Sequence, residues 1–151
     1  MFNKGLALAV VIVTVMLALA AVEFLPGTLY FPVVEYLAPG NIRFVMLKHG
    51  EPDPSGCEKT ARDIERTVRA NCADCRPVKR CVRGLDAEHR KILSREPLAT
   101  PSLRTQDGRL TMTVSAADPE VALSVCRLAA EQTASRTLDK RLLCFPALAA
   151  R

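Results

Sequence analysis

Hydrophobic positions in this chain follow three patterns: one unbroken run, several period-two alternations, and two stripes at helical spacing. The unbroken run is Gly5 to Val22. It contains no charged residue and is apolar apart from Gly5 and Thr14. Its eighteen residues would rise about 27 Å as a helix, close to the roughly 30 Å of a bilayer's hydrocarbon core. With Phe24 and Leu25 added, residues 1–25 read as a transmembrane signal-anchor helix. The alternative is a signal peptide cleaved near Ala20, since Lys4 supplies a basic start and Ala18-Leu19-Ala20 an acceptable site. The run exceeds the roughly 7–15 apolar residues of such a peptide, which favours the anchor. After Lys4 the next basic residue is Arg43. That asymmetry keeps the N-terminus cytoplasmic and exports the remainder.

Residues 26–40 read as a Pro/aromatic juxtamembrane linker without regular structure, because Pro26-Gly27, Pro32 and Pro39-Gly40 interrupt helix and sheet alike. Their aromatic side chains suit a membrane–water boundary. Ile42–Lys48 is a strand, apolar on both faces near its middle. Ser55 followed by Glu58 makes a capping box, and the helix it opens runs from about Gly56 to Asn71. Ala61, Ile64 and Val68 form its buried stripe, with Cys57 at the start and Cys72 at the end. Arg76-Pro77 stops it. Val78–Val82 is a plausible strand and Asp86–Leu93 a short helix. Leu103–Val114 is a hairpin about Asp107-Gly108, a two-residue turn signal. Asp118-Pro119-Glu120 opens a second helix, with Val121, Val125 and Leu128 beside Ala122 and Ala129 as its buried stripe. Arg141–Phe145 is a last strand. No internal repeat is visible.

Without the short helix this order approximates β-α-β-β-α-β. The expected fold is therefore α+β: a small, disulfide-stapled, ferredoxin-like domain over residues 41–151, behind the transmembrane helix. Beyond Phe44 the only aromatic is Phe145, so the core is thin and cross-links would strengthen it.

Six cysteines in an exported domain fit a disulfide framework. Cys72-Ala73-Asp74-Cys75 has redox spacing. It follows a helix instead of starting one, so the dipole and Asp74 both oppose the thiolate. A zinc site from Cys57, Cys72, Cys75 and Cys81 fails on reach, because the helix holds Cys57 and Cys72 about 22 Å apart. Structural disulfides remain. Cys57–Cys72 is excluded by the same length, and Cys126–Cys144 fits a helix-to-sheet staple. Cys72–Cys75 with Cys57–Cys81 is preferred for the rest. If Val78 and Val82 face the helices, however, Cys81 does not, and Cys72 or Cys75 with Cys81 is the alternative. No metal or cofactor site is expected, and His49 and His89 stand alone.

The chain's net charge is +5, and all but one of its 21 basic residues lie at or after Arg43. Arg76, Lys79, Arg80, Arg83, Arg90, Lys91 and Arg95 crowd one stretch. Export, not their charge, disfavours nucleic acid as a partner. These basic residues suit an anionic lipid headgroup, a lipid-linked phosphate or an acidic polysaccharide. No nucleophile context, phosphate loop or convincing acid pair marks an enzyme. The expectation is a non-catalytic, membrane-anchored periplasmic accessory subunit in the bacterial inner membrane, bound to a larger envelope assembly for surface-polymer export or secretion. The alternatives are a binding module for an anionic envelope ligand and a thiol–disulfide oxidoreductase using Cys72 and Cys75.

Overall fold

A computed structural model describes residues 28–94, 96–135 and 140–148. The expected membrane helix lies outside the described residues. Among those described, no helix is long and apolar enough to cross a membrane.

The elements are β1 (Tyr30–Ala38), β2 (Ile42–Lys48), α1 (Pro54–Asn71), β3 (Val78–Arg83), α2 (Ala87–Leu93), β4 (Ser102–Thr105), β5 (Leu110–Ser115), α3 (Pro119–Gln132) and β6 (Leu142–Phe145). The strands form one antiparallel sheet in the order β3-β1-β2-β5-β4-β6. Its first strand corrects the linker expected at 26–40. Tyr30–Ala38 is rich in aromatic and β-branched residues and fills an interior position of the sheet. Pro32 is tolerated there because the ladder slips beside it. Tyr30 exchanges both backbone hydrogen bonds with Glu51, at 2.9 and 2.8 Å, and regular pairing resumes at Val33↔Leu47, one residue out of step. The imide nitrogen of Pro32 points to the side of that bulge and costs no ladder bond. Gly50 sits in the same irregularity, where a Cβ would come within 2.7 Å of the Leu29 Cβ. Pro39-Gly40-Asn41 is the hairpin loop, with Gly40 and Asn41 both at positive φ.

The sheet order also corrects the ferredoxin-like expectation. In that arrangement two split βαβ units interleave. Here each unit keeps to its own side and takes its intervening strand from its own hairpin. β2-α1-β3 straddles β1, and β5-α3-β6 straddles β4. The domain is thus a ββαβ unit used twice, a repeat of topology that the sequence does not display. The halves meet along β2 and β5, where Met46 pairs with Met112. Outward from that pair the register matches: Val34 with Leu103, then Lys79 with Cys144. Both long helices begin at Asp-Pro, with Asp53 and Asp118 as N-caps. At α1 the cap is Asp53, not Ser55. Its carboxylate accepts from the Gly56 N–H at 2.9 Å, while Pro54 contributes a pre-set φ and no orphan donor.

The two faces of the sheet are covered unequally. α1 and α3 lie on one face. Cys57, Ala61 and Val68 pack toward β1 and β3, and Ala122 and Cys126 pack against Phe44, Leu103, Met112 and Val114. Tyr36 stacks on Phe44 at 4.8 Å between ring centroids, so these aromatics serve the core. Val121 and Leu128, expected in the buried stripe of α3, are exposed. Helical spacing puts Leu128 about 200° around from Cys126, which faces the sheet. Among the described residues the only helix on the other face is α2, whose Ile92 packs with Val33, Val45 and Leu47, beside Leu85 and Leu98 from its flanking loops. The loop between β4 and β5 spans residues 106–109, longer than the two-residue turn expected, with Gly108 at positive φ.

Candidate functional site

Each half spends one disulfide on tying its helix to its own edge strand. Cys57 joins Cys81 across a Cα separation of 6.0 Å, and Cys126 joins Cys144 across 5.5 Å. The face of Cys81 is settled by alternation: Lys79 and Cys81 turn toward α1, while Val82 packs on the α2 side. Cys72 joins Cys75 across 5.3 Å. Cys72 caps α1, its N–H reaching the Val68 carbonyl at 2.9 Å, and Cys75 is buried. The pair therefore stands at the negative end of the helix, the end that opposes thiolate formation.

Among the described residues the basic stretch does not form one surface. Lys79 points to α1 and pairs with Glu65, which Arg69 also contacts at 3.0 Å. Arg80 points to the other face and pairs with Glu35, with Arg43 2.8 Å from the same carboxylate. The Arg43 hydrogen bond, aided by the charge of Arg80, holds the Glu35 carboxyl below the usual carboxylate range. Lys79 and then Arg69 do the same for Glu65. Arg83 leans on Thr28, and Arg90 and Lys91 sit in the last turn of α2. Arg76 borders a shallow depression with Leu37, Val78 and Arg80. Arg95 lies outside the described residues. His89 contacts Asp86 at 2.8 Å. Among the described residues no group of three His, Cys, Asp or Glu side chains is placed to hold a metal ion.

The feature with the strongest built chemistry is one the sequence did not mark. Beside β4 and β6 on the α2 face lies a cavity of about 420 Å³ bordered by His49, Leu93, Arg104, Thr111, Leu143 and Phe145. Arg104 is only 9% exposed. Its Nη2 donates to the Glu96 carbonyl at 2.8 Å, and its guanidinium lies 5.2 Å from the centre of the Phe145 ring. Its Nε–H is buried with no acceptor, and among the described residues no carboxylate pairs with it. Desolvation lowers its pKa from the ordinary value. Asp107, at the rim, is already engaged: it accepts from the Thr105 hydroxyl at 2.5 Å and the Arg109 N–H at 2.9 Å. The only sequence signal for Arg104 was its place beside Leu103 in a hairpin arm, one step off the apolar face. An exposed arginine would leave the same trace.

No family model matches this chain, and neither a curated protein nor a solved structure matches it.

Proposed function

We propose that the protein is a non-catalytic accessory subunit, anchored by residues 5–25 in the bacterial inner membrane, whose periplasmic domain docks a larger envelope assembly of the export or secretion type. The observation that carries this reading is the uneven cover of the sheet. Two long helices shield one face, while among the described residues the seven-residue α2 and its flanking loops shield the middle of the other. The flank over β1 and β3 leaves Val78 65% and Leu37 52% exposed beside the Glu35–Arg43–Arg80 cluster. Apolar side chains rimmed by charge, on a scaffold braced by disulfides, are what a protein interface requires. The disulfides themselves support an exported domain.

A second reading, recognition of an anionic envelope ligand, draws support from Arg76, Arg80 and Arg83, exposed along one sheet edge. The oxidoreductase reading has the least support, given the helix-end position of Cys72 and the burial of Cys75.

Affinity purification of the full-length chain at native expression, in mild detergent, tests the first reading. A membrane protein should co-purify in fixed stoichiometry, and Leu37→Asp with Val78→Asp should cut its recovery roughly tenfold or more. A chain that purifies alone overturns docking. Co-flotation with anionic vesicles that is abolished by salt would then favour the second reading.

A further inference from the structure

The matched register of the two halves places Glu35 and Arg104 at equivalent points of the sheet. Counting outward from the Met46–Met112 pair, Glu35 lies in the row of Val45 and Thr113, and Arg104 in the row of Leu47 and Thr111. The diagonal neighbour on the edge strand is equivalent too: Arg80 in the first half and Phe145 in the second. In the first half the charge is neutralised within the chain, because two arginines hold one carboxylate. In the second half a buried guanidinium rests against an aromatic ring, and among the described residues it has no carboxylate.

A desolvated charge of this kind is costly unless something completes it. A buried N–H without an acceptor adds to that cost. Arg104 also borders a cavity of about 420 Å³, within the size range of small-molecule sites. We propose that this cavity is a binding site for a carboxylate monoanion bearing a short apolar or aromatic substituent. The planar fork of Arg104 matches a carboxylate. Phe145, Leu143 and Leu93 form the apolar wall for the substituent, and Thr111 stands among the polar lining. One guanidinium balances one negative charge. The Asp107 carboxylate at the rim repels any anion, and a phosphate dianion more strongly than a carboxylate monoanion. The site is separate from the docking flank over β1 and β3, so loss of partner capture and loss of carboxylate binding are independent results.

The test uses the full-length chain in zwitterionic nanodiscs, with benzoate, hexanoate and inorganic phosphate as probes, read by NMR shifts and equilibrium dialysis. Benzoate should bind, shifting Leu143, Phe145 and Thr111, with hexanoate weaker and phosphate weakest. Arg104→Met keeps the side-chain length and removes a buried charge, and should weaken benzoate about tenfold or more. Arg104→Lys keeps the charge without the fork and should fall between. Benzoate affinity unchanged in Arg104→Met, phosphate outcompeting benzoate, or no saturable binding to the wild-type chain overturns the proposal. If Arg104→Met does not fold, the wild-type shift map decides: saturable shifts confined to the cavity support the site, and shifts elsewhere overturn it.

Discussion

The two ββαβ halves bring an equivalent pair of side chains to the same point of the sheet and use it differently. In the first, Glu35 meets Arg80, with Arg43 closing the group. In the second, Arg104 meets Phe145. One pair completes itself and rigidifies a surface. The other leaves directional donors beside a hollow. Duplicated topology therefore does not imply duplicated chemistry. The strand lattice fixes where side chains meet, and the residue types decide whether that point becomes scaffold or site.

The largest effects should come from the braces the halves share. Chain-entropy reasoning assigns about 3 kcal/mol each to Cys57–Cys81 and Cys126–Cys144, since they close loops of similar length, with separations of 24 and 18. Paired Cys→Ser variants should lose nearly equal amounts in urea unfolding. Removing Cys72–Cys75, with a separation of 3, should cost less, about 2 kcal/mol. Strongly unequal losses from the two long bridges would show that the halves are not braced alike.

A smaller effect should separate Glu35 from its counterpart. Its folded pKa lies below the usual 4.5, so its stabilisation is present above about pH 4.5 and is lost as pH falls through the folded value. Glu65 acts with the same sign. Glu35→Gln should flatten the acid limb of the stability curve, measured by urea midpoints across pH. An unchanged limb would mean that the Arg43–Glu35–Arg80 group contributes nothing to folding.

A further effect should lie at the alkaline end, and in the first half alone. Burial pushes the Tyr36 hydroxyl up from 10.0 to about 12. Its unfolded form ionises first, so stability should hold below pH 10 and decline as pH rises toward 12. Ultraviolet titration should show one phenolate phase delayed in the folded chain and restored to its ordinary range in urea. Coincident folded and unfolded titrations would place Tyr36 in water.

What could be read from the residues followed local rules. The α1 stripe, the Asp118-Pro119 start, the Ile42–Lys48 strand and the helix-to-strand staple at Cys126 and Cys144 all rest on periodicity and capping. What could not be read depended on partners distant in sequence. Pro32 argued against a strand until a ladder bulge removed the need for its N–H. Asp53 lay outside the capping pattern that pointed to Ser55. The repeat stayed hidden because equivalent positions hold unlike residues: Glu35 and Arg104, Arg80 and Phe145, Lys79 and Cys144. Met46 with Met112, Arg43 with Arg109, Pro32 with Pro101, the apolar Val34 with Leu103, and the two Asp-Pro starts keep a trace. Lys79 and Arg80 parted because a strand sends neighbours to opposite faces, and Arg90 and Lys91 sit on α2. Arg104 stands out only once its burial and its partners among the described residues are known.

Under the anchoring reading, the early start of β1 limits how far the domain can stand from a membrane. A linker over residues 26–40 would have been a leash of about 50 Å. With the sheet beginning at Tyr30, an anchor ending at Leu25 leaves four residues, about 14 Å when extended. Under the anchoring reading, the domain rides low on the bilayer with the Tyr30–Glu51 end of the sheet turned toward the headgroups. A partner must then approach its open flank from the side, within the first few nanometres above the lipid.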